Sequence, residues 1–233
     1  GNTLNGSENT HFGYIFGAHS YNENSQYVPE SLKEIVVTGA TDIAQYAFSD
    51  CIRLTTITLL DSVTGICDAA FRGCTGLTSI TVGNGVANIG DAAFYGCTHL
   101  TSVTVGNSVT SIGDQAFKGC TGLATITLPD SVTSIGGSAF SGCTGLATIT
   151  IPDSVTSIDS VLFMGCTGLT SITIPDSVAS IGRSACSGCK RLTSISFKGT
   201  KAQWDAIYKG SYYDFGTGSY TVHCTDGDIL VTY

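Results

Sequence analysis

Leu123-Ala-Thr-Ile-Thr-Leu-Pro-Asp-Ser-Val-Thr-Ser-Ile-Gly-Gly-Ser-Ala-Phe-Ser-Gly-Cys143 is the stretch on which the fold turns. From Leu123 to Leu128 it alternates, with Ile126 and Leu128 facing inward and Thr125 and Thr127 outward. Period-two alternation among β-branched residues predicts a strand. Pro129 and Asp130 end it, because proline offers no ladder donor and aspartate favours a turn. Val132 and Ile135 dip inward again, as a second short strand. Ala139 and Phe140 are expected on one helical or 3₁₀ turn, closed by Gly142 before a buried Cys143.

The same phrase recurs along the chain. Cysteines fall at Cys51, Cys74, Cys97, Cys120, Cys143, Cys166 and Cys189, one every 23 residues. Leu54, Leu77, Leu100, Leu123, Leu146, Leu169 and Leu192 keep the same step. So do Phe48, Phe71, Phe94, Phe117, Phe140 and Phe163, with Cys186 in the next place, and Ile66, Ile89, Ile112, Ile135, Ile158 and Ile181. A block beginning at Leu32 fits with one residue deleted between Val37 and Ile43, so eight units run from Leu32 to about Phe197. A unit this short cannot bury its apolar residues alone; stacking buries them as continuous columns. At about 4.8 Å per parallel strand, eight coils make a body roughly 35–40 Å long.

Composition narrows the function. Charged residues are 12% of the 233 and the net charge is −8, which disfavours a phosphate-binding surface and so nucleic acid. Mean hydropathy is +0.25, but no apolar run approaches the ~18–20 residues of a membrane span; no membrane insertion is expected. The chain begins at Gly1, which reads as a processed or recombinant start. The ends leave the period, as caps must. Residues 1–31 form an N-terminal segment and cap: 1–10 polar and loose, then Phe12, Tyr14, Ile15 and Phe16 over the first coil. Residues 32–198 hold the eight repeats. Residues 199–233 make a C-terminal cap, with a short amphipathic helix over Lys201–Ile207 and a hairpin of Tyr220–Cys224 with Ile229–Tyr233 around Thr225-Asp226-Gly227-Asp228.

The repeat resembles the BspA-like, treponemal-type class of bacterial leucine-rich repeats, with its 23-residue unit and phrases such as LTSITIPDSV (169–178) and TSIGDQAFKGCT (110–121). The leading segment His11–Gly17 and the closing Trp204 to Gly227 also look like end pieces of that class. The resemblance implies a right-handed leucine-rich-repeat solenoid, with parallel strands on a concave face and short strands, turns and 3₁₀ or helical turns elsewhere. It implies a secreted or cell-surface protein, some members acting as adhesins, and it supplies no catalytic residues. Departures are Cys186 in the aromatic column, Leu162 in an alanine column and Cys67 where glycine is commoner.

Several residue sets invite chemistry and have plainer readings. Cys186-Ser-Gly-Cys189 has redox spacing without the βαβ context that gives it meaning; buried packing is favoured. His223, Cys224, Asp226 and Asp228 match no zinc or EF-hand pattern, and a hairpin turn accounts for them. The column Asp61, Asn84, Asn107, Asp130, Asp153 and Asp176 lacks the glycine-rich nonapeptide of calcium-binding β-rolls, so turn capping is favoured. No G-x-S-x-G occurs, and His11, His19, His99 and His223 are dispersed. Neither enzyme activity nor any cofactor or metal is expected. Ten cysteines are too few for a disulfide scaffold of this length. Column neighbours point the same way, so Cys74, Cys97, Cys120, Cys143 and Cys166 should be free, small apolar side chains. Any disulfide would involve Cys67, Cys186 or Cys224.

Two binding surfaces compete. On the concave face, outward rows of hydroxyls include Thr81, Thr104, Thr127, Thr150 and Thr173, and beside them Ser102, Thr125 and Thr148. At the cap, Tyr208, Tyr212 and Tyr213 supply the aromatic material that hot spots favour. Arg72, Tyr95, Lys118, Ser141, Met164 and Ser187 vary from unit to unit, as exposed positions do. The expectation is a monomeric binding module for an extracellular protein or glycan. The alternative is a structural spacer in a larger surface protein.

Overall fold

The computed structural model describes residues 19–39 and 41–232. The expected loose segment and the cap residues Phe12, Tyr14, Ile15 and Phe16 lie outside them. Within them the chain winds as a stack of coils, each beginning at a column leucine or its equivalent: coil 1 at Leu32, coil 2 at Leu54, coil 5 at Leu123, coil 8 at Leu192. Each coil has three sides.

The front side carries parallel strands stepped one repeat apart. Glu34–Val37, Thr56–Leu59, Ser79–Val82 and Ser102–Thr104 form one sheet, with Thr56 opposite Ser79 and Ile80 opposite Val103. A second front sheet joins Thr148–Thr150, Ser171–Ile174, Ser194–Phe197 and Tyr220–Cys224, closed by antiparallel Gly227–Val231. Between them lies a correction. Leu123–Leu128, the stretch that most plainly reads as a strand, forms none. Its inward residues still pack, with Ile126 7% and Leu128 8% exposed. Thr125 to Leu128 make no backbone hydrogen bond to either neighbouring coil.

A side sheet uses the two-residue strands anticipated at Val132–Ile135. It runs from Asp42–Ile43 to Ser134–Ile135, and a separate sheet from Ser157–Ile158 to Tyr208–Lys209. The helix Lys201–Ala206 is inserted between the front and side strands of coil 8. Thr200 and Gln203 cap it reciprocally, at 3.2 and 2.8 Å. Its buried Trp204 meets Phe197 edge-on at 5.3 Å.

The third side corrects the expected helical turn. Ala139, Ser141 and Cys143 donate three residues back, to Gly136, Ser138 and Phe140, but the interleaved amides of Ser138, Phe140 and Gly142 donate along the axis to coil 6. Ser138 (φ 59°) and Gly142 (φ 73°) are left-handed, and this reversal lets alternate amides leave the coil. A helix would turn every amide back on its own chain. The result is a continuous turn ladder between coils.

The core sits between the three sides. Successive Phe rings from Phe48 to Phe117 stack 5.1–5.2 Å apart, and Phe71 through Phe163 are fully buried. The thiol column is also more than apolar filling: Cys74, Cys97, Cys120, Cys143, Cys166 and Cys189 each donate to the phenylalanine carbonyl 26 residues earlier, at 3.0–3.1 Å. All ten cysteines are free thiols. At the first coil, Tyr21 stacks on Tyr46 at 4.3 Å and the buried Asn24 amide donates to the Ser49 carbonyl.

Candidate functional site

Position by position, the residue that ends each front strand changes along the stack: Leu60, Gly83, Gly106, Pro129, Pro152, Pro175, Lys198. At the two glycines a Cβ would strike the preceding coil, 2.7 Å from the Leu59 carbonyl oxygen at Gly83 and 2.4 Å from the Gly83 carbonyl oxygen at Gly106. Close approach of the backbones therefore demands glycine. The same choice leaves a floor without side chains. Above it lies an open groove of about 590 Å³, walled by Thr58, Thr81 and Thr104 on one side and by Asp61, Asn84 and Asn107 on the other. Leu60 belongs to its lining at the coil 2 end, and Pro129 follows in the same column beyond Gly106.

The far wall is held by side chains bonding across coils. Asp61 Oδ1 accepts from the Asn84 amide at 2.7 Å, and Asn84 Oδ1 from the Asn107 amide at 3.0 Å. This revises the expected role: these residues cap the next coil and not their own turn. Asn107 continues the series no further, and its carboxamide has no protein partner among the described residues. Asp61 is the one charged residue in the lining. The groove thus offers hydroxyls, carboxamides and one carboxylate, and suits a hydrogen-bonding ligand that is not strongly anionic.

Of the residues singled out in sequence, the groove brings together Thr81 and Thr104. Thr127, Thr150 and Thr173 continue their row beyond it, the first two exposed and the last half-buried; Ser102, Thr125 and Thr148 stand exposed in the neighbouring row. Gly83, Gly106, Asn84 and Asn107 were missed as a site. The signal was present in the switch from glycine to proline at Pro129, which marks where the floor changes.

At the cap the tyrosines separate. Tyr208 and Tyr212 are 71% and 62% exposed, and Tyr212 meets the exposed Phe215 edge-on at 5.8 Å. Tyr213 is packed inward, its hydroxyl 3.1 Å from that of Tyr220, which donates to the buried Asp214 at 2.7 Å. Burial pushes the Tyr213 hydroxyl up to about 12.

The remaining chemical candidates have structural partners. Cys186 is raised well above the ordinary thiol value by its hydrogen bond with Cys189 and then by burial, the opposite of what a reactive thiolate needs. His223 Nδ1 pairs with Asp228 at 2.9 Å across the hairpin, and Asp226 accepts from the Lys201 amide at the helix N-terminus. His99 Nδ1 lies 2.7 Å from the Thr75 carbonyl. On the variable outer column, Tyr95 lies between Arg72 and Lys118, at 5.4 and 5.8 Å from its ring centre. Among the described residues no helix is long and apolar enough to cross a membrane, and no cluster of three or more His, Cys, Asp or Glu residues is placed to hold a metal ion.

A parallel-strand solenoid on a repeat of 23 residues, with leucine, phenylalanine and cysteine columns, defines a leucine-rich-repeat protein. Residues 22–143 and 87–214 match the BspA type leucine rich repeat region in six copies, and the chain belongs to that family. It is similar to a leucine-rich repeat protein of T. pallidum, at 28% identity and a TM-score of 0.68, over 80% of this chain and 88% of that one. It is also similar to a leucine-rich repeat protein from Bacteroides ovatus, at 26% identity and a TM-score of 0.62, over 80% of this chain and 62% of that one. No curated protein matches it in sequence.

Proposed function

We propose that this chain is a non-catalytic binding module, secreted or displayed at a bacterial cell surface, which holds an extracellular protein or glycan on its strand side. The groove between the Thr81–Thr104 row and the Asn84–Asn107 row carries this reading. It is a concave surface whose floor is not fixed by the repeat, since coils 5 to 7 carry proline where its floor has Gly83 and Gly106. Membership of a family of repeat proteins commonly found at surfaces supports the setting. Solenoids in general recognise partners along such extended faces.

One observation favours the spacer reading instead: the groove lining contains no aromatic or arginine side chain, the types that dominate protein hot spots. A binding screen of the chain against extracellular-matrix proteins and a glycan array separates the two. The binding module gives a saturable ligand, and Thr104→Arg with Asn107→Arg weakens it at least ~10-fold while the fold survives, because both residues are exposed. Absence of any ligand supports the spacer. Binding lost only on Tyr212→Ala and Phe215→Ala moves the site to the cap.

A further inference from the structure

Three ladders tie each coil to the next, and only the turn ladder is unbroken. On the front side, threonine hydroxyls reinforce the sheet: Thr78 Oγ1 donates to the Thr55 carbonyl at 3.0 Å and Thr101 Oγ1 to Thr78 at 3.1 Å. The next two places are Ala124 and Ala147, which have no hydroxyl; Thr170 then resumes, donating to the Ala147 carbonyl at 3.1 Å. At the strand end, the Leu60 amide donates to Val37 and that of Lys198 to Ile174, the Gly83 and Gly106 amides make no such bond, and Pro129 and Pro152 have no N–H to give. Coil 5 thus lacks a bond at each end of its front segment. Thr125 to Leu128 make no backbone hydrogen bond to either neighbouring coil; the Ala147 amide to the Ala124 carbonyl, at 3.1 Å, is the front-side bond that remains.

The side sheet fails one step further on. Thr133 and Gly136 donate back to coil 4, and Ala179 and Gly182 to coil 6, but Thr156 and Asp159 donate nothing to coil 5. Asp159 stands in the column of Gly90, Gly113, Gly136 and Gly182, where a Cβ would lie 2.5–2.7 Å from backbone atoms of the preceding coil. Cys67 shares that column and its bond to Ile43 survives, so a Cβ alone does not part the coils. Coil 6 adds Leu162 in the alanine column and a left-handed Val161 (φ 63°), a strained state for a β-branched residue. The ring step Phe140–Phe163 widens to 5.9 Å. Yet the turn side holds: Phe117 donates to Ala139 at 2.8 Å, Gly119 to Ser141 at 2.8 Å and Gly142 to Met164 at 2.8 Å.

We propose that coil 5 is a hinge, at which coils 1–4 and coils 6–8 open and close on the strand side about the continuous turn ladder. Missing bonds on two sides and intact bonds on the third give the motion its direction. Both sheets are interrupted between coils 5 and 6, where Thr127 and Thr150 stand on either side of the opening, so the hinge sets the spacing of the hydroxyl row. The inference holds whether or not the strand side binds a ligand.

Hydrogen–deuterium exchange of the whole chain, with no ligand added, tests it. Amides of residues 125–128 should exchange at least ~100-fold faster than those of 79–82, while the Phe117, Gly119 and Gly142 amides stay protected. Replacing Ala124→Thr and Ala147→Thr should slow exchange at 125–128 about 10-fold by restoring the hydroxyl ladder. If that pair fails to fold, Asp159→Gly should instead slow exchange of the Thr156 amide. Equal protection of 125–128 and 79–82 overturns the hinge. So does exchange of the turn amides as fast as 125–128, since the whole coil would then be unfolding. Well-folded variants that leave both rates unchanged overturn it too.

Discussion

Coil 3, residues 77–99, and coil 5, residues 123–145, carry the same residues at their core columns except Val82 against Leu128, and bury them in the same order. One is a regular rung of two sheets. The other has lost its front strand. Their inward faces differ slightly, Ile80 and Val82 being 1% and 2% exposed against 7% and 8% for Ile126 and Leu128. An exposed difference lies at the start of the front segment, Thr78 against Ala124. Core columns hold coils in register, while the hydroxyl row adds or withholds one bond between adjacent coils. A threonine-to-alanine change in an exposed row, with its hydroxyl lost, has no effect on the core pattern and removes an inter-coil bond.

The strongest test of the uniform part is alkaline pH. Burial raises the thiols of Cys97, Cys143 and Cys166 above their ordinary value of 9.0, and hence above their value in the unfolded chain. Their contribution is therefore complete below about pH 9 and is lost as pH rises toward the folded values. The expected loss is about 1.4 kcal/mol per thiol per pH unit, several kcal/mol in sum by pH 10. Denaturant titrations at pH 7 and pH 10 measure it; equal stabilities would mean the column is not buried as a whole.

Next in size is a pair of ring deletions. Phe94→Ala, between rings 5.2 and 5.1 Å away, should cost about 3–5 kcal/mol. Phe140→Ala, with neighbours at 5.5 and 5.9 Å, should cost less, near the low end of that range. Matching midpoint shifts would erase the packing difference between the two regions.

Leu146→Ala and Leu162→Ala sharpen the contrast inside coil 6. The first empties a leucine column and should cost about 2–5 kcal/mol. The second restores the residue found in neighbouring coils, so cavity and relief of overpacking oppose each other and the cost should be under half as large. If thermal melts rank the two equally, Leu162 is not a wedge.

The smallest effect is Thr78→Ala, which copies Ala124 into a regular coil. It removes a hydroxyl bond worth about 0.5–1.5 kcal/mol and should speed exchange of amides 79–82 toward that of 125–128. Unchanged exchange would detach the hydroxyl row from sheet pairing.

The period, the eight-unit count, the core columns and the outward hydroxyl rows were legible because a fixed repeat of 23 residues places like above like. Stacking then needs no long-range information beyond the neighbouring coil. Ile126 and Leu128 point inward as their alternation required, and the buried free thiols followed from one column of parallel Cβ vectors. Tertiary structure alone decided the rest. Whether a strand forms at Leu123–Leu128 depends on the backbone partners that neighbouring coils offer, which propensity within the segment cannot register. The turn side became a ladder instead of a helical turn because its left-handed residues send amides along the axis. The groove exists because two glycines let backbones touch where other coils keep side chains. Each is a relation between coils, set by distances of a few ångströms that appear only when the chain has been wound.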